Sequence, residues 1–212
     1  GNMDIEEKLA FLDEHYLSHF DYLDVDSVIQ EQKAFGACRD VTLEYPVAEN
    51  EGEEDNTYLS YNMVVGNAAD SQMAMAFEVL DYALLSAPGA PLKQALLDVK
   101  AGKDVYGSYD DGILQPYFTV IAKGSNPDRK EEFVSVIRQV LGDIVKNGID
   151  KKAVEAGINY FEFRYREADF SSYPKGLMYS LDILGDWLYE KGNPFAQVQQ
   201  LTVFENLKKA VN

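Results

Sequence analysis

The sequence predicts an α+β fold in which helices pack on one face of a largely antiparallel sheet. Two observations lead to this class. Apolar residues recur every three or four positions in several long segments, which is typical of helices. The strand candidates come in adjacent pairs, with no crossover helix inside a pair, which favours antiparallel pairing. A chain of 212 residues is long enough to bury a sizeable core.

The chain begins with a predicted helix over residues 4–20, for which Asp4 is a suitable N-cap. Residues 21–37 lose all periodicity, so we expect an extended connector there. The predicted division is therefore a terminal helix and connector at 1–36, followed by an α+β domain at 37–212. The helix carries one apolar stripe, formed by Ile5, Leu9, Leu12, Tyr16 and Phe20.

Two pairs of strands are predicted. Residues 38–47 alternate, with Val41, Leu43 and Tyr45 on one side, and residues 57–66 are rich in β-branched and aromatic side chains. The acidic stretch between them is interpreted as a solvated turn. The second pair lies within residues 104–124, with a turn expected at Asp110–Gly112.

Six further helices are indicated by apolar spacing and by their boundary residues. Prolines and glycine in SAPGAP separate the first two, and Gly148 and Gly192 are expected to end later ones. The predicted helices begin near Asp70, Pro91, Asn126, Asp150, Pro174 and Phe195. Core positions are expected at Met73, Ala76, Phe77, Leu80, Leu84, Phe133, Ile137, Val140, Ile144, Val145, Val154, Ile158, Phe161 and Tyr165, and a leucine stripe at Leu177, Leu181, Leu184 and Leu188.

The composition excludes several functional classes. The formal net charge is −17, which argues against a nucleic-acid partner but permits attraction of cationic peptides. We find no apolar run long enough to span a membrane and no signal peptide. Cys38 is the only cysteine, so neither an intrachain disulfide nor a cysteine-rich metal site can form, and a reducing compartment is favoured.

The only two histidines, His15 and His19, lie four positions apart in HYLSH. The spacing resembles the H-x-x-E-H motif of some zinc peptidases, but Ser18 occupies the place of the glutamate. A catalytic zinc site needs three protein ligands, an open water position and a general base. We therefore assign no metal ligand and no catalytic residue, although a self-sufficient metal-binding or hydrolytic domain using both histidines remains an alternative.

Three long stretches resemble one protein family when they are taken in order. They are LSAPGAPLKQALLD, GKDVYGSYDDGILQPYFTVIAKG and NYFEFRYREADFSSYPKGLMYSLDILGDWLYEKGNPF. They resemble the presequence-protease branch of the pitrilysin/insulinase zinc metallopeptidases, in which four similar α+β domains form two halves around a chamber. EHYLSHFDYL resembles the end of the first, zinc-bearing domain there. The resemblance implies that residues 37–212 are the second domain, which keeps the fold without the metal ligands.

The implied function is that of a non-catalytic domain of a zinc endopeptidase that degrades unfolded peptides. Its partners would be the catalytic domain and the C-terminal half of the same parent chain, together with the peptide. It would hold no cofactor itself, since the zinc would belong to the catalytic domain. Neither nucleic acid nor membrane is an expected partner. The location would be cytoplasmic in a bacterium and an organelle matrix in a eukaryote. A purely structural domain without substrate contact is a further alternative.

In insulinase-like relatives, the second domain anchors the N-terminal end of the substrate through backbone groups. The positions here that match these segments are Pro88, Gly89, Ala90, Val105, Tyr106, Gly107 and Ser108. Glycines allow close backbone approach, and an exposed strand edge can accept a peptide as an added strand. Alternatively, SAPGAP only breaks a helix and Gly107 only forms a bulge.

The stretch FEFRYREADF permits two uses of its arginines. Glu162 and Arg166 are four residues apart on the predicted helix, which suits a surface ion pair. Arg164 and Arg166 could instead face the chamber or the other half of the parent protein.

Overall fold

The computed structural model describes residues 4–50, 52–168, 170–188 and 193–211. These residues fall into two compact units, which divide between Gln30 and Glu31. The predicted boundary at residue 36 lies nearby and stays a prediction.

The first unit contains helix α1 (Ile5–His15) and a short 3₁₀ turn at Leu17–His19. Asp4 caps α1 as expected, because its carboxylate accepts hydrogen bonds from the backbone N–H groups of Glu6 and Glu7. No residue of α1 is buried, although the helix carries an apolar stripe. The exposed stripe consists of Ile5, Leu9, Leu12, Tyr16 and Phe20.

A three-stranded antiparallel sheet organises the second unit. Its strands are β1 (Thr57–Val64), β2 (Asp104–Asp110) and β3 (Tyr117–Ser125), in the spatial order β1-β3-β2. The central strand pairs Ala122 with Leu59 on one side and with Val105 on the other. Both β1 and β2 are therefore edge strands of this sheet.

The predicted strand at residues 38–47 is wrong. The segment forms no backbone ladder, and Val41, Leu43 and Tyr45 are exposed. Side chains hold it instead: the Tyr45 hydroxyl donates to the carbonyl of Asn56, and Asp40 pairs with Lys130. Alternation indicates which residues share a face, but it cannot supply the partner strand that a ladder requires. The connection between β2 and β3 is also longer than expected, spanning residues 111–116.

Six helices complete the second unit among the described residues: α2 (Ser71–Asp81), α3 (Pro91–Asp98), α4 (Lys130–Asn147), α5 (Lys151–Glu167), α6 (Lys175–Trp187) and α7 (Leu201–Val211). A π-helical turn at Tyr82–Ser86 extends α2. The carboxylates of Asp70 and Asp150 accept backbone N–H groups of the first turns of α2 and α5, and Gly148 ends α4 at a φ of 85°. The last helix begins at Leu201, later than the expected Phe195, and Gly192 lies outside the described residues.

Two groups of buried side chains form the core. In the first, α3, α4 and the π-helical turn pack on one face of the sheet, through Leu85, Leu92, Leu96, Val105, Val120, Phe133 and Ile137. In the second, α2, α5 and α7 pack together through Met75, Val79, Val154, Ile158 and Phe204. Met73 and Val145 were expected in the core but are exposed. The α+β fold with helices on one face of an antiparallel sheet is confirmed.

Candidate functional site

The first candidate segment, SAPGAP, forms a tight turn between the π-helical turn and α3. The N–H of Ala90 donates to the carbonyl of Ala87 at 3.0 Å. Pro88 occupies the second position, and Gly89 occupies the third with a φ of 72°, as a type II turn requires. Pro88 and Gly89 are exposed, whereas Ala90 is buried. This turn therefore offers backbone to the solvent at Pro88 and Gly89.

The second candidate segment lies in edge strand β2. Val105 is buried in the core, while Tyr106 and Ser108 are exposed on the opposite face of the sheet. Gly107 pairs with Val120 in regular register, so the bulge interpretation is wrong. A Cβ atom at Gly107 would lie 2.3 Å from Leu85 Cδ1 and 2.5 Å from Asp81 Oδ1. The absence of a side chain at Gly107 thus allows α2 and its π-helical extension to approach the strand.

The structure brings these two candidate segments close to each other. Leu85, two residues before Ala87, packs over Gly107 of β2. On the other side of the turn, Lys93 of α3 forms an ion pair with Asp104 at 3.4 Å. The turn at 87–90 is therefore flanked on both sides by contacts to β2.

The face of the sheet opposite the helices carries tyrosines from all three strands. Tyr58, Tyr106 and Tyr117 alternate with the core residues of β1, β2 and β3, respectively. The Tyr117 hydroxyl donates to the Asp110 carboxylate at 3.0 Å, and this hydrogen bond raises the pKa of Tyr117. We call this side of the sheet the tyrosine-bearing face, and tyrosines suit contact with a polypeptide because they combine apolar area with a polar end.

Sequence reasoning missed a cavity of about 460 Å³ between α2, α5, α6 and residues 193–200. We call it the acidic cavity because four carboxylates line it. The lining carboxylates are Glu78 on α2, Asp111 after β2, and Asp182 and Asp186 on α6. Arg164 of α5 is the one cation among the described lining residues.

Burial and mutual repulsion shape the electrostatics of the acidic cavity. Burial, with Asp111 and Asp81 nearby, raises the pKa of Glu78 to about 7, against the opposing effect of Arg164. Burial likewise raises the pKa values of Asp182 and Asp186, and the charge of Asp111 adds to both effects. The pKa of Asp111 itself is raised by burial. These groups therefore hold protons more readily than exposed carboxylates do.

One feature of the sequence could have pointed to the acidic cavity. Asp182 and Asp186 are four residues apart, so they share one face of α6. The leucine stripe gives α6 the pattern of an ordinary amphipathic helix, and one of its members, Leu181, also lines the cavity. Glu78 and Asp111, by contrast, have no sequence relation to that pair, and only the fold brings them near it.

The two histidines do not fit a zinc ion. The His15 ring packs against Phe11 with 4.5 Å between ring centroids, and His19 is exposed in the 3₁₀ turn. Across the described ranges, no group of three or more histidines, cysteines or carboxylates could hold a metal. A bound catalytic zinc would need at least three protein ligands and a base, and Ser18 cannot act as that base.

The two arginines of α5 make different contacts, and the prediction that they face the chamber or the other half stays a prediction. Arg166 donates to Glu162 at 2.7 and 2.9 Å, and Lys208 of α7 pairs with the other oxygen of the same carboxylate. Together these cations hold the pKa of Glu162 below its usual range. Arg164 instead lines the acidic cavity.

Comparisons with known proteins agree with this fold. Protein HypA from Clostridium perfringens is 42% identical over 211 residues, which are 100% of this chain and 22% of that protein. Presequence protease 1 of Arabidopsis thaliana is 28% identical over 187 residues, 87% of this chain and 17% of that protein. The chain therefore spans about a fifth of the length of these relatives. In the described part of the chain, no helix is long and apolar enough to cross a membrane.

Solved structures show the same fold at low sequence identity. The inactive peptidase domain of a Bordetella parapertussis protein, described as a zinc protease, superposes with a TM-score of 0.55 at 13% identity. That match covers 73% of this chain and 81% of the other.

Membership in the metallopeptidase family, which the sequence resemblance predicted, is confirmed by a direct match. The family model described as the Peptidase M16 inactive domain matches residues 1–161, about three quarters of the chain. The chain belongs to the Peptidase M16 inactive domain family.

Proposed function

We propose that this domain is a non-catalytic lobe of a zinc-dependent endopeptidase, where it walls the peptide-degrading chamber and helps to hold the substrate. Edge strand β2, beside the exposed turn at 87–90, is the observation that carries the proposal. The zinc and the general base would belong to the catalytic domain of the parent chain. Packing against that domain and the C-terminal half would complete the chamber, in a bacterial cytoplasm or an organelle matrix.

The geometry gives an extended peptide two kinds of contact. An edge strand presents backbone N–H and C=O groups that an added strand can pair with. Tyr106 and Ser108 point to the tyrosine-bearing face, so side chains of the bound peptide would meet them there. The backbone supplies affinity without regard to sequence, which suits a protein that handles unfolded peptides.

The net charge favours cationic substrates. The chain carries 36 acidic and 19 basic side chains, so a basic peptide would be attracted over the Debye length of the solution. Binding through charge weakens as salt is added, whereas binding through backbone pairing does not depend on salt in the same way. A salt series thus separates the two contributions.

The first experiment measures hydrogen exchange on this chain with and without an unstructured basic peptide. We expect the peptide to slow exchange over residues 104–110 and 87–90. Tyr106→Ala should weaken binding about five- to tenfold, because a buried aromatic contact contributes roughly 1 kcal/mol. Tyr58→Ala is the matched control, since it removes a similarly exposed tyrosine from the opposite edge strand.

Two outcomes would count against substrate holding. Equal effects of Tyr106→Ala and Tyr58→Ala would remove β2 as the anchoring strand. Protection confined to other parts of the chain, or none at all, would favour a purely structural domain.

A further inference from the structure

Helix α6 has two contrasting faces, and its carboxylate face is turned toward the rest of the second unit. Asp182, Ile183 and Asp186 are partly buried, but no residue of α6 is fully buried. An apolar stripe on a helix normally faces a core. Here the leucines of that stripe are exposed instead, namely Leu177, Leu181, Leu184 and Leu188.

Like charges face α6 from the other side of the acidic cavity. Glu78 projects from α2 and Asp111 follows β2, and each has a further carboxylate near it, Asp81 and Asp110. Residues 193–200 contribute neutral groups, including Gln197, whose backbone N–H donates to Asp186 at 3.0 Å. Arg164 on α5 is the compensating cation among the described lining residues. When all four lining carboxylates are ionised, they therefore outnumber the positive charge that faces them.

We propose that α6 is a charge-controlled arm: ionised carboxylates on both sides of the acidic cavity hold it away from α2 and α5, and loss of that negative charge lets it close. The cavity supplies the space for this movement. Leu181 lines the cavity, whereas the exposed Leu177, Leu184 and Leu188 leave the outer face free of a core that would resist the movement. This device is separate from the proposed peptide-holding role and does not depend on it.

The direction of the pH effect follows from the shifted groups. Burial and the neighbouring charges of Asp111 and Asp81 raise the pKa of Glu78 to about 7, and burial also raises the pKa values of Asp111, Asp182 and Asp186. A carboxyl group whose pKa is raised by burial becomes protonated at a higher pH in the compact state than it does when it is exposed to solvent. Closure is therefore favoured as the pH falls through about 7 and is lost as the pH rises through that value.

Trp187 provides a direct reporter, because it is the only tryptophan and lies at the end of α6. Its fluorescence and its quenching by acrylamide are followed from about pH 8 to about pH 6, on both sides of the Glu78 transition. We expect both signals to differ between the two pH values, because Trp187 is 65% exposed and movement of α6 changes its surroundings. Hydrogen exchange of residues 175–187, corrected for the intrinsic pH dependence, should slow about tenfold, which is the effect of one pKa unit of coupling.

Three variants test whether the charges of the acidic cavity cause the pH response of α6. Glu78→Gln imitates the protonated group, so it should protect α6 at high pH and flatten the transition. Arg164→Gln removes the compensating charge and should increase exchange of α6 at high pH. Glu131→Gln removes a carboxylate from the first turn of α4 and is the matched control.

The proposal is overturned if Trp187 and the exchange of α6 do not change between these pH values, or if Glu78→Gln and Glu131→Gln titrate alike. Should Glu78→Gln fail to fold by circular dichroism, Asp182→Asn tests the same repulsion from the α6 side of the cavity. The same flattened transition is expected there, and an unchanged one would equally overturn the proposal.

Discussion

Gly107 shows how one residue connects the strand, the helix above it and the candidate anchoring segment. Its missing side chain lets Leu85 and the buried carboxylate of Asp81 lie directly on β2. Burial raises the pKa of Asp81, whose second oxygen accepts a hydrogen bond from Ser86 at 3.3 Å. A glycine that looked suitable for peptide approach is therefore also required by packing inside the domain.

Gly107→Ala should destabilise the domain by about 1–3 kcal/mol, because the added methyl group overpacks a site that buried Leu85 cannot vacate. Urea unfolding followed by circular dichroism measures the change. Gly142→Ala is the control: it lies within α4, where no atom comes within 4 Å of an added Cβ, and should be neutral or stabilising by up to about 1 kcal/mol. Similar losses of unfolding free energy in both variants would show that the close approach of Leu85 to Gly107 does not cause the destabilisation.

At the scale of elements, the carboxylate of Glu162 connects two helices. It accepts from Arg166 on its own helix and from Lys208 of α7, and its side chain is only 15% exposed. An ion pair across helices restrains their relative position, in contrast to the many surface pairs that contribute little. Glu162 thus adds a polar connection between α5 and α7, which also pack together in the second group of core residues.

Glu162→Gln should lower stability by about 1 kcal/mol near neutral pH, since three charge-assisted hydrogen bonds become weaker. The folded-state pKa of Glu162 is lowered, so its contribution is present above the unfolded pKa and disappears as the pH falls through the folded one. Urea unfolding at a series of acidic pH values tests this, with Glu167→Gln on the same helix as control. A variant that keeps the full acid sensitivity of the original chain would contradict the assignment.

At the scale of the whole molecule, the chain has a fold of the peptidase family, and the part of it that the structure describes contains no group of three or more ligands that could hold a metal. The histidines lie in the first unit, and the carboxylates of the acidic cavity lie in the second. Within the described residues, no third ligand accompanies His15 and His19. The metal and the cutting step are therefore proposed for another part of the parent protein.

Zinc titration of the purified chain should show no stoichiometric binding, because two imidazoles alone cannot complete a tetrahedral site. Calorimetry measures this directly, and the His15→Ala/His19→Ala double variant should give the same trace. One equivalent of zinc that disappears in the double variant would instead support the rival interpretation of a self-sufficient metal domain.

Local patterns were sufficient for much of the fold. Asp4, Asp70 and Asp150 cap helices where predicted, because a capping carboxylate acts on N–H groups two or three residues away. Gly148 ends α4 for a similarly local reason. The strand predicted at residues 38–47 failed because a ladder needs a partner that is not encoded in the alternation.

By itself, the sequence determined the α+β class, the helix boundaries set by caps and glycines, and the resemblance to the peptidase family. Tertiary structure decided that β2 lies at a sheet edge beside the turn at 87–90, that Gly107 admits Leu85, and that Glu78 and Asp111 meet the aspartates of α6. Periodicity fixes which residues share a face of an element. What lies opposite that face depends on contacts between residues far apart in the chain.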